Sequence, residues 1–309
     1  MRQPLFSVVI PTFNRFVTLQ RAVTSVLAQR CKNFELIVVD DGSTDGTDNY
    51  LQGLSESIKR VRQTNSGPSA ARNRGAKVAN GRYLAFLDSD DFWFPWTLSV
   101  YTDVLSKTSN PAFMAGKPLR YRNGTPPDVA NSTPCWNLFR DYLESGDEWR
   151  WWGASSFIID RQAFVDVGGF SPTLDSGEDA DLALRLGTSP GFAQVTSPIT
   201  FAYHEHGAGL SSDLPRTIKG VKQNISSELS HGYPGGLERR LHRWRVLTRC
   251  IRPVALACAR AGLTAEGWSL YRSTFAWHVA LRRWRFLCGF PLLALKPISR
   301  APKVTKTNV

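Results

Sequence analysis

The chain has little cysteine and no long apolar run. Its five cysteines, Cys31, Cys135, Cys250, Cys258 and Cys288, are scattered through 309 residues and odd in number. None forms a Cys-x-x-Cys pair, so the spacing favours neither a disulfide scaffold nor a structural zinc site. Such usage suits a reducing cytoplasm. No stretch reaches about 18 uninterrupted apolar residues, which argues against a conventional membrane-spanning helix. The N-terminal MRQPLFSVVIPTFNR carries one short apolar run followed by Pro, Asn and Arg. It lacks the small-residue cleavage site of a secretory signal.

Acidic residues are scarce in one region only. From Met1 to Gly220, 22 Lys+Arg face 23 Asp+Glu, whereas from Val221 to Val309, 16 face 3. The formal net charge of +12 therefore sits on a basic C-terminal region attached to a nearly neutral body. Nucleic acid, an anionic membrane or an acidic polymer would each suit that charge. No nucleic-acid-binding motif accompanies it, so nucleic acid is not expected. With 42% hydrophobic and 21% charged residues, the composition is that of a globular protein.

The first 110 residues alternate between strand and helix patterns. Phe6–Ile10 (FSVVI) is a β-branched run closed by Pro11, and Glu35–Asp41 (ELIVVDD) is a second strand ending in carboxylates. Between them Leu19, Ala22, Val23, Val26 and Leu27 form one apolar helix stripe. Arg60–Gln63 is a short third strand, Ser69–Ala79 a helix begun by Pro68, and Arg82–Asp88 (RYLAFLD) another strand ending in acid. This order predicts a doubly wound, mostly parallel sheet with flanking helices. The division is 1–220 for the nearly neutral α/β body and 221–309 for the basic helical region.

Ligands of open α/β sheets bind beyond the carboxyl ends of the strands. Three strands here end in PTFN, DDGS and DSDD, which gathers polar and acidic groups at one edge. In DSDD, alternate carboxylates on an extended turn can face one cation, and hard oxygen ligands suit Mg²⁺ or Mn²⁺. Further on, GGF and GEDADLALRL place Glu178 and Asp179 at the start of a helix. Arg, Trp and Leu interleave in the C-terminal region. Arg239, Arg240, Arg243 and Arg245 accompany Trp244, and Arg282, Arg283 and Arg285 surround Trp284 ahead of FLCGFPLLAL. That pattern suits an anionic membrane surface; a basic subdomain packed on the body is the plainer alternative.

The ordered set FSVVIPTFNR, FELIVVDDGSTDGT, NSGPSAARNRG, GRYLAFLDSDDFWFP and GGF with GEDADLALRL resembles the family-2 glycosyltransferases over roughly residues 5 to 215. These are inverting enzymes with the A-type glycosyltransferase fold. The resemblance implies a nucleotide-sugar donor, a divalent metal, and a sugar, lipid-linked or protein acceptor. By that resemblance Pro11, Thr12 and Phe13 border the base and ribose. Asp40 and Asp41 contact the base, with Asp41 the first choice, and Arg72 approaches the nucleotide or diphosphate. Asp88 and Asp90 match the DxD motif, with Asp90 the expected direct metal ligand. Asp179 matches the catalytic base, with Glu178 beside it. His206, in HGAGLS, matches a late element near the diphosphate and metal, although Gly209 stands where Asn is common.

Two other readings share parts of this pattern. A nucleotidyltransferase also sets carboxylates and metal beside a nucleotide, but it would want a Gly-rich phosphate loop near the N-terminus, and PTFNR is not one. A non-catalytic nucleotide-sugar-binding subunit would keep the fold without the chemistry. The Trp149, Trp151 and Trp152 cluster suits either a sugar ring or the core.

Overall fold

The computed structural model describes residues 3–122, 124–146, 153–174, 176–205 and 213–295. Four strands build the expected N-terminal half: β1 (Phe6–Thr12), β2 (Phe34–Asp40), β3 (Lys59–Arg62) and β4 (Tyr83–Phe86). They pair in parallel, with Thr12 opposite Asp40 and Asp40 opposite Arg62, so the carboxyl ends of β1, β2 and β3 lie level, while the β4 ladder ends at Phe86 opposite Val9. Pro11 lies inside β1, not at its end. It falls beyond the β4 ladder, which stops at Val9, where a missing N–H is tolerated. Helix α1 (Phe16–Leu27) buries Leu19, Ala22, Val23 and Val26, the stripe read from the sequence. A short α2 (Thr47–Gln52) follows β2. Helix α3 (Pro68–Val78) begins on Pro68, whose fixed φ suits a first helical turn.

The remaining elements of the body are β5 (Phe92–Trp93), α4 (Thr97–Ser106), β6 (Phe113–Ala115), β7 (Pro118–Tyr121), β8 (Cys135–Phe139), β9 (Phe157–Asp160), α5 (Arg161–Asp166), α6 (Glu178–Arg185), β10 (Phe192–Ser197) and β11 (Phe201–His204). The large sheet runs β3-β2-β1-β4-β9-β6-β10-β8, and β5-β11-β7 form a small second sheet. The large sheet is mixed: β9 is antiparallel to both β4 and β6, and β8 to β10. The chain enters β9 beside the tip of β4, where the Asp88 N–H donates to Ser155 Oγ, and therefore runs back against it.

Successive residues of the central strands feed opposite cores. Val9, Leu84 and Phe86 face one side, while Val8, Ile10 and Ala85 face the other. Both faces are covered, which accounts for the near-continuous hydrophobicity of β1 and β2. Five helices close the chain: α7 (Leu214–Leu229), α8 (Arg240–Arg260), α9 (Thr264–Ser273), α10 (Phe275–Ala280) and α11 (Trp284–Ala294). Ile218, Val246, Leu247, Ile251 and Phe290 from these helices join the same apolar cluster as Val9 and Phe86. Among the described residues, no helix is long and apolar enough to cross a membrane.

Candidate active site

The level strand tips are tied to one another by short polar side chains. Asn14, just past β1, adopts a positive φ of 50°. Its Oδ1 accepts the Thr44 N–H at 2.8 Å, and its own N–H donates to Ser43 Oγ at 2.9 Å. Asp40 is buried; its Oδ1 accepts the Ser43 N–H at 2.9 Å and its Oδ2 lies 3.4 Å from Arg62. Asp41, also buried, accepts from Gln63 Nε2 at 2.8 Å, the Ser66 N–H at 2.9 Å and the Gly67 N–H at 2.8 Å. Both carboxylates thus organise the loops after β2 and β3. Pro11 and Thr12 are buried, and Thr12 Oγ1 has no hydrogen-bond partner among the described residues. Phe13, the next residue, is 43% exposed.

The turn after β4 sends its three aspartates in different directions. Asp88 and Asp90 keep partly exposed carboxylates. Asp88 Oδ1 accepts from Arg72 at 2.5 Å, and Asp90 pairs with Arg15. Asp91 turns inward and is buried, its Oδ2 accepting from Ser155 Oγ at 2.5 Å and its Oδ1 from the His204 N–H at 3.0 Å. Burial first, then the charges of Asp90 and Asp88, hold the Asp91 carboxyl well above the usual carboxylate range. Asp91 pins the turn to β11 and to the loop before β9. Sequence reasoning missed its inward role, along with Arg15 and Ser155. No local signal marked it: residues 88–91 form a turn closed by the Asp91 N–H on the Asp88 carbonyl at 3.0 Å, and the two-residue alternation of a strand does not extend into it.

The opposite wall is the first turn of α6. Gly177 precedes it with φ 76°, in the left-handed region that glycine tolerates best. Glu178 is buried and accepts from Arg72 at 3.0 Å. Asp179 Oδ1 accepts the Ala180 N–H at 2.7 Å, a cap-like contact. Burial pushes the Asp179 carboxyl up to about 7, and the neighbouring Glu178 adds to the rise. Arg72 stands between the two walls, buried, with its guanidinium 5.1 Å from the Phe170 ring centre. Burial alone would lower its pKa, but Asp88 and then Glu178 outweigh that and raise it. The structure therefore brings Asp88, Arg72, Glu178 and Asp179 together, with Asp90 at the same tip.

The C-terminal helices brace this wall. Gly220 of α7 comes so close that a Cβ there would meet the Ser176 carbonyl at 2.0 Å. Asn224 Nδ2 donates to the Gly177 carbonyl at 3.4 Å. The Tyr233 hydroxyl donates to Asp181 at 3.1 Å, and Arg185 donates to the same carboxylate at 2.8 Å. Several tail arginines also turn inward. Arg239 makes two hydrogen bonds to Asp141, at 2.8 and 2.6 Å. Arg243 pairs with Glu228 at 2.7 Å, and Arg249 donates to the Gly146 carbonyl at 2.8 Å. The expectation that Arg239 and Arg243 meet a membrane is corrected here: body and tail carbonyls and carboxylates already bind them.

His206 and the Trp149, Trp151 and Trp152 cluster lie outside the described residues. Among the described residues, no group of three or more His, Cys, Asp or Glu is set to hold a metal ion. Asp88 and Asp90 nevertheless supply two hard oxygen donors at one turn, with the second Asp88 oxygen outside any hydrogen bond among the described residues. Two carboxylates that leave further positions to a ligand's own oxygens fit the way Mg²⁺ is ordinarily bound.

Residues 7–158 match glycosyl transferase family 2. That stretch is about half of the chain, and over it the chain is similar to this family. TuaG of Bacillus subtilis, named as a teichuronic acid biosynthesis glycosyltransferase, is 38% identical over 164 residues, covering 52% of this chain and 64% of its own. The chain thus spans less than two thirds of that relative's length. Among solved structures, TarS 1-349 of S. aureus in complex with UDP-GlcNAc matches with a TM-score of 0.58 at 16% identity, over 94% of this chain and 90% of that one. The mannosyltransferase PcManGT of Pyrobaculum calidifontis, in complex with GDP-Man and Mn²⁺, gives 0.56 at 16% identity, over 96% and 88%. At these identities the likeness establishes the fold, the A-type glycosyltransferase fold.

Proposed function

We propose that this protein is a metal-dependent, inverting glycosyltransferase that moves a sugar from a nucleotide-sugar donor to an acceptor hydroxyl in cell-surface polysaccharide or glycoconjugate synthesis. The observation that carries the reading is Arg72, whose guanidinium joins Asp88 of the DSDD turn to Glu178 beside Asp179. An alcohol is a poor nucleophile near neutral pH, and in this reading Asp179 takes its proton. A carboxylate pKa raised to about 7 suits a general base working near that pH. Attack on the anomeric carbon proceeds through an oxocarbenium-like state and in one displacement inverts the centre. Pro11, Thr12 and Phe13 border the base and ribose, and Asp40 and Asp41 shape the pocket floor where the base rests.

Asp88 and Asp90, with His206, would hold Mg²⁺ or Mn²⁺, which when bound supplies charge neutralisation at the departing diphosphate. Arg72 and Arg15 orient the same two carboxylates from behind. Donors of the UDP-sugar and GDP-sugar class are supported by the ligands of the two similar structures. The acceptor, a sugar, lipid-linked or protein hydroxyl, is reached at the cytoplasmic face of a membrane.

A panel of UDP-, GDP- and dTDP-sugars with Mn²⁺, read by released nucleoside diphosphate, tests the reading. One donor class turned over with chelator-sensitive release is expected. Nucleoside triphosphate formed from the nucleotide-sugar and added pyrophosphate, with no diphosphate released, would point to a nucleotidyltransferase, and binding without any turnover to a non-catalytic subunit. Asp90→Ala should weaken metal-dependent donor binding by at least about a hundredfold, since even outer partners of metal ligands cost 10–100-fold. Unchanged titration of Mn²⁺ and donor would sink its assignment.

A further inference from the structure

The closing helices carry an apolar surface that the site does not use. Helix α11 reads WRFLCGFPLLA, with Arg285 its one charged residue. It buries Phe286, Leu287 and Phe290, which pack around Tyr271. Its opposite side presents Trp284 at 58% exposure, Leu292 at 68% and, just past the helix, Leu295 at 74%. The spacing of residues 284, 288, 292 and 295 places them within one narrow stripe. Helix α10, packed beside it, exposes Phe275 and Val279. A surface helix of a globular protein ordinarily carries charge where α11 carries Trp and Leu.

Charge selects the occupant. From Gly267 to Val309 the chain has eight Lys and Arg and not one Asp or Glu. Arg282 and Arg285 flank Trp284 and are exposed. They contrast with Arg239 and Arg243, which Asp141 and Glu228 neutralise. A second copy laid on this face would set like charges against one another. A nucleic-acid backbone would satisfy the arginines but leave the apolar stripe wet.

We infer that the exposed face of α10 and α11 docks on an anionic lipid bilayer. The Trp284 and Leu292 side chains enter the headgroup boundary and the arginines beside them meet lipid phosphates. Indole rings favour that boundary, cationic side chains snorkel to it, and anionic headgroups draw basic segments toward it. The docking stands on this surface alone. Only its purpose, holding the cleft near a membrane-borne acceptor, rests on the proposed function.

Co-sedimentation of the full chain with vesicles tests it without any sugar donor, so the result is independent of the transferase reading. One set is phosphatidylcholine and the other contains roughly 30 mol% phosphatidylglycerol. The chain should partition onto the second set and largely leave it at high salt. Trp284→Ser with Leu292→Ser, and separately Arg282→Glu with Arg285→Glu, should each lower the partition at least about tenfold at unchanged Tm. Equal partition onto both sets, no partition, or full binding by both double variants would overturn the inference. So would light scattering that shows a lipid-free dimer dispersed by Trp284→Ser with Leu292→Ser, which would assign the face to a second copy.

Discussion

The N-terminal half and the C-terminal helices use charge in opposite ways. At the strand tips, carboxylates outnumber the cations beside them, and each is placed by a backbone or guanidinium partner. Asp41 holds a loop, Asp91 pins a strand, and Asp88 and Asp90 stay partly exposed at the cleft. In the C-terminal region cations dominate but divide into two populations. Arg239, Arg243 and Arg249 are drawn into the body and act as structural ties, while Arg282 and Arg285 remain at the surface. The lesson is that net charge describes neither region: the same residue type is cement in one helix and surface field in the next, depending on whether an acid or carbonyl faces it.

The sharpest way to break this comparison is at Asp179. Asp179→Asn should lower kcat by about 10²–10⁴-fold while leaving donor affinity near the parent's, as measured by nucleoside diphosphate release and donor titration. Near-full turnover would remove it from the chemistry. In the C-terminal region the largest expected effect is on stability. Arg243→Met leaves Glu228 buried without its partner and should cost about 3–5 kcal/mol, read by denaturant unfolding. A loss below about 1 kcal/mol would place Arg243 with the surface population instead.

A pH series sharpens the cleft side. The Asp179 carboxyl is raised to about 7 from an ordinary 3.8, so the proton it must lose as a base is held more tightly in the folded chain. Turnover should therefore rise with pH up to about 7 and level off above it. The linkage to stability has the same origin: between about pH 4 and 7 the folded state binds the extra proton, and stability declines as pH rises through that window. Asp179→Asn should accordingly raise Tm relative to the parent at pH 8 and not at pH 4. The smallest effect belongs to the surface cations. Arg285→Ala should change unfolding free energy by no more than about 0.5 kcal/mol, in contrast to Arg243→Met.

Much of the N-terminal half was legible before any coordinates. Leu19, Ala22, Val23 and Val26 announce one buried helix face, and β-branched runs ending in Asp announce strands whose tips share an edge. Asp88, Asp90 and Asp179 could be singled out because carboxylates at such positions have few roles. The direction of β9 was not legible, because its apolar Phe157–Asp160 run carries no mark of polarity. Arg15 and Ser155 were hidden as well, since each gains its role from a partner about 65 to 75 residues away. Asp91 shows the boundary between the two cases: the acid is plain in DSDD, but that it serves the core depends on where β11 falls.

Local pattern by itself determined the order of the N-terminal strands and helices, the edge at which their polar ends gather and the identity of the acids there, because periodicity and turn chemistry act over a few residues. Only the tertiary structure decided that Arg72 spans from Asp88 to Glu178, that Gly220 and Asn224 brace the loop before Asp179, and which arginines of the basic region reach solvent. Those outcomes depend on burial and on partners distant in the chain, and desolvation is a property of the packed fold that no short stretch of residues possesses.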